Sequence, residues 1–235
     1  MMSRLEVLTI PAMLQASYRD FANNQSLIFV GEENRTYKQL ETEVKRAALQ
    51  LQSIGVRKGD KVAILSANMP QWGIAFFATS VLGAIVVPIL PDFHPNEIKN
   101  ILQHADVSVI YVSETLHSEL ESRSGLTVIH IENFQIVPAL DQPLLKDMDE
   151  QFFKYPKVEE KDICSIIYTS GTTGKSKGVM LTHKNIVWTA QQCWTIHNVA
   201  STDRFLSVLP LSHTFENTLG FILPIKYGAT VNYMA

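Results

Sequence analysis

Lys61-Val62-Ala63-Ile64-Leu65, then Pro70-Gln71-Trp72-Gly73-Ile74-Ala75-Phe76-Phe77-Ala78-Thr79-Ser80-Val81-Leu82, then Ile85-Val86-Val87-Pro88-Ile89: these three runs decide the fold class. The first and third are short, apolar and rich in β-branched residues, as strands buried on both faces are. The middle run opens with proline in its first turn and continues as a helix to Leu82. A strand, a helix and a second strand in close succession read as a crossover unit, and crossover units make parallel strands. From Gln71 to Pro91 no residue is charged, which approaches the length of a membrane span. Gly73, Gly83, Pro88, Thr79 and Ser80 oppose a span, as does the switch to β-branched residues at Ile85. A buried helix feeding a buried strand explains both halves of the run.

The same alternation continues on either side. Upstream, an amphipathic helix is expected over Ile10 to Ala22 and a strand over Leu27 to Val30. Thr36-Tyr37-Lys38-Gln39 has the form of a capping box. Leu40, Val44, Ala47, Ala48, Leu51 and Ile54 follow at helical spacing, with Gly55 as a left-handed stop. Downstream, a helix over Pro95 to His104, a strand over Val107 to Val112, a helix over 114–122 and a strand over Leu126 to Ile131 are expected. Pro138, Pro143 and Pro156 among clustered acidic residues make 136–160 a solvated linker with one short helix. Strands at Ile163 to Thr169, Gly178 to Thr182, Phe205 to Leu209 and Thr230 to Met234 follow, with helices at Lys184 to His197 and Glu216 to Lys226. The fold class is therefore α/β, with mostly parallel sheets flanked by helices. The expected division is a first α/β unit over 1–135, the linker, and the start of a second unit over 161–235. Tyr227 to Ala235 is an apolar, strand-like run, so the sequence is expected to continue in a longer protein.

Composition narrows the function. A net charge of −3 is too small to steer nucleic acid or an anionic membrane, so any anion site must be local. No basic cluster is interleaved with aromatics, which sets nucleic acid aside. Cys164 and Cys193 lie in apolar runs and are too few for a disulfide framework, which suits buried reduced thiols and a cytoplasmic location. The N-terminal residues lack the apolar core of a signal peptide. No transmembrane segment is expected; peripheral membrane contact stays open.

Tyr168-Thr169-Ser170-Gly171-Thr172-Thr173-Gly174-Lys175-Ser176-Lys177-Gly178 carries the chemistry. Gly171 and Gly174 let backbone N–H groups approach a polyanion. Thr169, Ser170, Thr172 and Thr173 add hydroxyl donors, and Lys175 and Lys177 add charge. Hydrogen bonds to charged oxygens contribute about 1.5–3 kcal/mol each, enough in combination for useful phosphate affinity. The spacing is not that of a Walker A loop, where four residues separate the first glycine from Gly-Lys. Here only Thr172 and Thr173 intervene, and a strand rather than a helix is expected next. Taken alone, a glycine- and threonine-rich loop of this kind is also compatible with a plain hairpin turn bearing exposed lysines.

The whole string resembles the signature of the adenylate-forming superfamily, which comprises acyl-CoA synthetases, firefly-type luciferases and the adenylation domains of peptide synthetases. Arg35-Thr36-Tyr37-Lys38-Gln39-Leu40, Gly59-Asp60-Lys61-Val62-Ala63-Ile64 and Leu82-Gly83-Ala84-Ile85-Val86-Val87-Pro88 extend the resemblance over the chain. Leu209-Pro210-Leu211-Ser212-His213-Thr214-Phe215-Glu216 looks like the corresponding segment of long-chain acyl-CoA synthetases. Ser176 departs from the proline found in many members and implies a slightly less rigid loop.

The resemblance implies that Thr169, Ser170, Gly171, Thr172, Thr173, Gly174, Lys175 and Lys177 hold the β- and γ-phosphates of ATP. It implies a carboxylic acid substrate, a fatty acid by the last segment, with Mg2+ and coenzyme A. It also places His213 near the carboxylate of the acid, although a histidine after Pro-Leu-Ser is equally a helix-start residue. Glu216 and Phe215 could shape the same site, yet an acid in a helix's first turn has a blander account. His94, His104, His117, His130, His183 and His197 show no metal-ligand spacing, so no metal site and no catalytic residue is expected within these residues. The family's adenine and Mg2+ motif, ribose-binding aspartate, hinge and C-terminal catalytic lysine have no counterpart here, so these residues alone are expected to be inactive in adenylation. Two other readings stand beside this one: a non-catalytic nucleotide-binding or interaction module, and an adenylating ligase for another acid or for an acyl carrier protein. A P-loop phosphatase or kinase is opposed by the loop spacing.

Overall fold

The computed structural model describes residues 5–31, 34–120, 124–138, 145–169 and 177–234. The first helix, α1 (Ile10–Asp20), is capped by the Thr9 side chain, which accepts from the Ala12 amide. Strand β1 (Leu27–Phe29) and helix α2 (Tyr37–Ser53) follow. The capping box forms as expected: Thr36 Oγ1 accepts from Gln39 N at 3.2 Å, and Gln39 Oε1 accepts from Thr36 N at 2.8 Å. Leu40, Val44, Ala47, Ala48 and Leu51 are all fully buried along one face of α2, whereas Ile54 falls at the C-cap and is partly exposed.

The crossover unit forms as read: β2 (Lys61–Leu65), α3 (Pro70–Val81) and β3 (Ile85–Ile89). Then come α4 (Pro95–His104), β4 (Val107–Val112), β5 (Thr127–His130) and β6 (Gln135–Val137). The remaining elements are β7 (Ile163–Thr169), β8 (Lys177–Thr182), α5 (His183–Cys193), β9 (Arg204–Leu206), a π-helix over Glu216–Ile222, α6 (Leu223–Lys226) and β10 (Thr230–Tyr233). They make two sheets, one ordered β6-β5-β4-β2-β3-β7-β8 and one ordered β1-β10-β9. Among the described residues, only the β5–β6 and β7–β8 strand pairs are antiparallel. The α/β class with mostly parallel sheets is therefore the observed one.

The larger sheet is buried on both faces. On β2, Val62 and Ile64 join the core that contains α1, α2 and α3, while Ala63 and Leu65 join the core under α4. That is the two-residue period of a strand with apolar neighbours on each side. Helix α3 lies between the two sheets and is buried all round, which is why it carries no charge and why its sequence imitates a membrane span. Among the described residues no helix is long and apolar enough to cross a membrane.

Several expectations need correction. Residues 1–135 and 161–235 share both sheets: β7 and β8 extend the sheet of β2 to β6, and β1 pairs with β10. The helix expected at 114–122 is a short 3-10 turn over Glu114–Glu119 without a buried residue, and 121–123 lie outside the described residues. The linker holds a strand, β6, and two 3-10 turns, and it buries Met148 and Phe153. The strand expected from Phe205 to Leu209 ends at Leu206; the Ser207 amide still donates to the Asn232 carbonyl of β10 at 2.9 Å, and beyond it the Leu209 carbonyl accepts from Asn68 instead of a strand. The helix expected over Glu216 to Lys226 is π-helical in its first part. Pro224 supplies no amide proton for the Gly220 carbonyl, and its ring crowds that carbonyl, so a regular α-helical ladder cannot run through it. Both cysteines are free; burial pushes the Cys164 thiol up to about 12, whereas Cys193 is only partly buried.

His183, the first residue of α5, is fully buried and ties α5 to the start of α1: its Nδ1 accepts from the Ile10 amide at 3.2 Å. Its Nε2 has no partner, and burial pushes the imidazole down to about 4, with Asp162 opposing the shift and Lys58 adding to it. The unfolded chain takes up this proton below about pH 6.5, whereas the folded chain resists until about 4. Stability from this group is therefore complete above pH 6.5 and is withdrawn as the pH falls towards 4, by about 2–3 kcal/mol in total. Urea unfolding at pH 7 and 4.5 should show the wild type losing that much more than His183→Asn, whose amide oxygen can replace Nδ1. Equal losses in the two proteins would refute the assignment.

Candidate functional site

Strands β7 and β8 form a hairpin whose last pair is Thr169 opposite Lys177. Ser170, Gly171, Thr172, Thr173, Gly174, Lys175 and Ser176 lie outside the described residues. The flanks define where the loop starts and returns. β7 is parallel to β3, and β3 to β2, so the loop leaves the carboxyl end of the parallel sheet. In open α/β sheets that end is where ligands bind. After the loop the chain runs on as strand β8, not as a helix, in keeping with the spacing that separates it from a Walker A loop.

The hairpin is anchored on one side only. Ser165 Oγ donates to the Val86 carbonyl at 3.1 Å, tying β7 to β3. The Tyr168 hydroxyl lies 2.7 Å from His104 Nδ1 at the end of α4, with the rings edge to face. Burial pushes that phenol above its ordinary range. Gly178 faces Tyr168, and a Cβ there would come within 2.9 Å of Ile166 Cγ2 and 3.3 Å of Tyr168 Cζ. The glycine therefore lets the phenol ring lie flat beside β8. On the other side β8 is an edge, with Lys177, Gly178, Val179 and Met180 exposed. Lys177 thus stands at the mouth of the loop with its side chain in solvent.

His213 lies on the segment between β9 and the π-helix, and its side chain is exposed. Its amide donates to the Pro210 carbonyl at 2.8 Å and its Nδ1 accepts from the Phe215 amide at 3.3 Å. The segment belongs to the smaller sheet, yet it is tied to the carboxyl end of the larger one. Asn68, three residues beyond β2, bonds to Ser207, Leu209 and Leu211. Since β2, β3 and β7 are neighbours in order, Asn68 emerges two strand spacings, about 10 Å, from the strand that carries the loop. Helix α5, which follows β8 directly, also packs on the π-helix. Thr169, the last residue described before the loop, and the His213 segment therefore lie at the same end of one sheet.

Asn68 meets this segment without having been singled out by the sequence, whereas Glu216 was among its candidates. Asn68 gave only the weak signal of an asparagine shortly before a helix-opening proline. Glu216 was given the account of a first-turn acid, but it is 6% exposed and bonded to Ser207. Among the described residues no group of three His, Cys, Asp or Glu side chains converges as metal ligands do.

A family model described as AMP-binding enzyme matches residues 14–235. Long chain acyl-CoA synthetase 3 of Arabidopsis thaliana is 33% identical over 207 residues, covering 79% of this chain and 31% of that protein. 4-coumarate–CoA ligase 2 of Oryza sativa is 30% identical over 259 residues, covering 99% and 46%. The long-chain-fatty-acid–CoA ligase of Bacillus subtilis is 27% identical over 252 residues, covering 94% and 45%. The chain thus spans a third to a half of the length of these relatives. Among solved structures, the fatty acyl-adenylate ligase of L. pneumophila superposes with a TM-score of 0.82 at 22% identity, over 98% of this chain and 40% of that one. The N-terminal subdomain of Klebsiella oxytoca NpsA superposes at 0.80 and 20% identity, over 97% and 55%. These two show the fold. By the family model's match across nearly all of its residues, the chain belongs to the AMP-binding enzymes, an adenylate-forming ligase family that includes acyl-CoA synthetases.

Proposed function

We propose that the complete protein is an ATP-dependent acid–thiol ligase that converts a long-chain fatty acid, ATP and coenzyme A into acyl-CoA, AMP and pyrophosphate. The observation that carries this reading is the Thr169–Lys177 hairpin mouth at the carboxyl end of a parallel sheet, in a chain of the AMP-binding family. Thr169, Ser170, Gly171, Thr172, Thr173, Gly174, Lys175 and Lys177 bind the β- and γ-phosphates through hydroxyls, amides and two ammonium groups. A carboxylate oxygen of the acid attacks the α-phosphorus, and the bond to the bridging oxygen breaks with release of pyrophosphate. The coenzyme A thiolate then attacks the acyl carbonyl and AMP departs. Negative charge moves onto the leaving pyrophosphate in the first step, where lysines and amides fixed in advance act most strongly. Mg2+ would arrive on the nucleotide's phosphates and supply charge neutralisation there.

His213 faces the acid in this reading. The fatty acid is favoured by the Leu209 to Glu216 segment and by the long-chain acyl-CoA synthetases among the relatives. An aryl acid ranks next, since a 4-coumarate ligase is a relative of comparable identity. The location we infer is the cytoplasm, in accord with two free thiols. Acid-dependent exchange of labelled pyrophosphate into ATP tests the proposal. The complete protein should exchange best with long-chain acids, and residues 1–235 alone should not exchange. ATP hydrolysis indifferent to any acid would overturn the reading.

A further inference from the structure

We propose that Asn68 and Glu216 are positioning residues that clamp the segment 207–215 and thereby fix where an apolar carboxylic acid lies beside His213. The proposal rests on the ligase reading for its substrate, though the clamp itself is a matter of geometry.

After β9 ends at Leu206 the Ser207 amide makes one more bond to β10, to the Asn232 carbonyl at 2.9 Å, and beyond it the segment has no regular structure to hold it before the π-helix. Its polar groups converge instead on two side chains from other elements. Ser207 Oγ donates to Glu216 Oε1 at 2.8 Å and accepts from Asn68 Nδ2 at 3.0 Å. Asn68 Nδ2 also donates to the Leu209 carbonyl at 2.7 Å, and Asn68 Oδ1 accepts from the Leu211 amide at 2.8 Å. The amide thus serves a hydroxyl, a carbonyl and an N–H of one short stretch. Within the helix, Asn217 Nδ2 donates to the Leu211 carbonyl at 3.4 Å, and the Asn217 amide donates to the His213 carbonyl at 3.0 Å.

A helix-start acid gains from the dipole without being buried. Glu216 is buried, and burial pushes its carboxyl above the ordinary range, with Ser207 opposing the shift. Such desolvation persists in a fold only where the bonds formed offset it. The carboxylate also lies against its own helix, since a Cβ on Gly220 would sit 2.4 Å from Oε1. Both the glycine and the π-helical turn make room for it. While Ser207, Leu211, Ser212, Glu216 and Asn217 are buried, Val208, Leu209, His213 and Phe215 remain exposed. An apolar surface with one imidazole suits a carboxylic acid with an apolar body.

Two readouts test the clamp, using Asn68→Ala, Glu216→Ala and the conservative Glu216→Gln, which keeps an acceptor for Ser207. In residues 1–235, hydrogen exchange at the Leu211 and His213 amides should quicken about tenfold in both alanine variants. The amides of β2 and β3 should keep wild-type rates, and Glu216→Gln should stay close to wild type. In the complete protein, KM for the acid should rise about tenfold in the alanine variants while KM for ATP stays within about twofold. Unchanged exchange at Leu211 would overturn the clamp. Exchange quickened equally in β2 and β3, or local loosening without a change in acid KM, would overturn the positioning role. A wild-type protein without acid-dependent adenylation would instead sink the ligase reading, leaving the clamp to be judged by exchange alone.

Discussion

Lys177→Ala in the complete protein should slow acyl-adenylate formation between tenfold and about 150-fold while leaving the melting temperature where it is. The magnitude is that of one charge-assisted hydrogen bond to phosphate, about 1.5–3 kcal/mol, lost where charge develops. The selectivity follows from position. Lys177 opens β8 on the exposed edge of the sheet, opposite Thr169, and its side chain packs on nothing in the core. Surface substitutions of that kind change stability by about 0.5 kcal/mol or less. Its ammonium can therefore be removed without disturbing the hairpin, whose anchors are Ser165, Tyr168 and Gly178. Lys177→Arg should recover part of the rate, since charge is kept and geometry altered. Steady-state pyrophosphate exchange and a thermal melt on the same preparations decide the matter. Wild-type exchange in Lys177→Ala would remove this lysine from phosphate binding.

Phe221→Ala should be the most damaging substitution for the fold, costing about 3–5 kcal/mol. Phe221 is fully buried in the π-helix and stacks on Phe77 of α3 with ring centroids 4.6 Å apart. It also meets Trp72 at 5.9 Å and Phe76 at 5.8 Å edge to face. Those rings fill the space between the two sheets. No neighbour can collapse into the gap, because α3 is held by strands on one side and by α1 and α2 on the other. A domain of ordinary stability, about 5–15 kcal/mol, would lose a third or more of it. Urea or thermal unfolding should show the loss directly, and Phe221→Leu should lose markedly less because it keeps most of the volume. A cost of under about 1 kcal/mol for the alanine variant would mean that the aromatic cluster does not hold the sheets together. The same packing bears on the site, since the helix that carries Phe221 begins with Glu216.

Much of this architecture was legible because it is local. The runs at Lys61 to Leu65, Pro70 to Val81 and Ile85 to Ile89 carry their own periods, the Thr36 box its own bonds, and Gly55 its own positive φ of 91°. The two strands that flank the Ser170 to Ser176 stretch are legible in the same way. Local signals fail where a long-range contact outbids them. Phe205 to Leu209 has the composition of a strand, but the Ser207 side chain and the Leu209 carbonyl bond to Asn68, a residue 139 positions from Ser207, and the strand stops there. Glu216 has the look of a solvated helix-start acid, but Ser207 and the close backbone at Gly220 draw it inside.

Sequence alone determined most of the strands and helices and that the strands run mostly parallel. Each follows from periodicity, capping or composition within a few consecutive residues. Tertiary structure alone decided that the two halves of the chain share both sheets and that Asn68 and Glu216 bond to the segment that leads to His213. The physical reason is that strand partners and buried polar bonds are chosen by whichever distant groups the packed core brings within reach, and no short window of residues contains that choice.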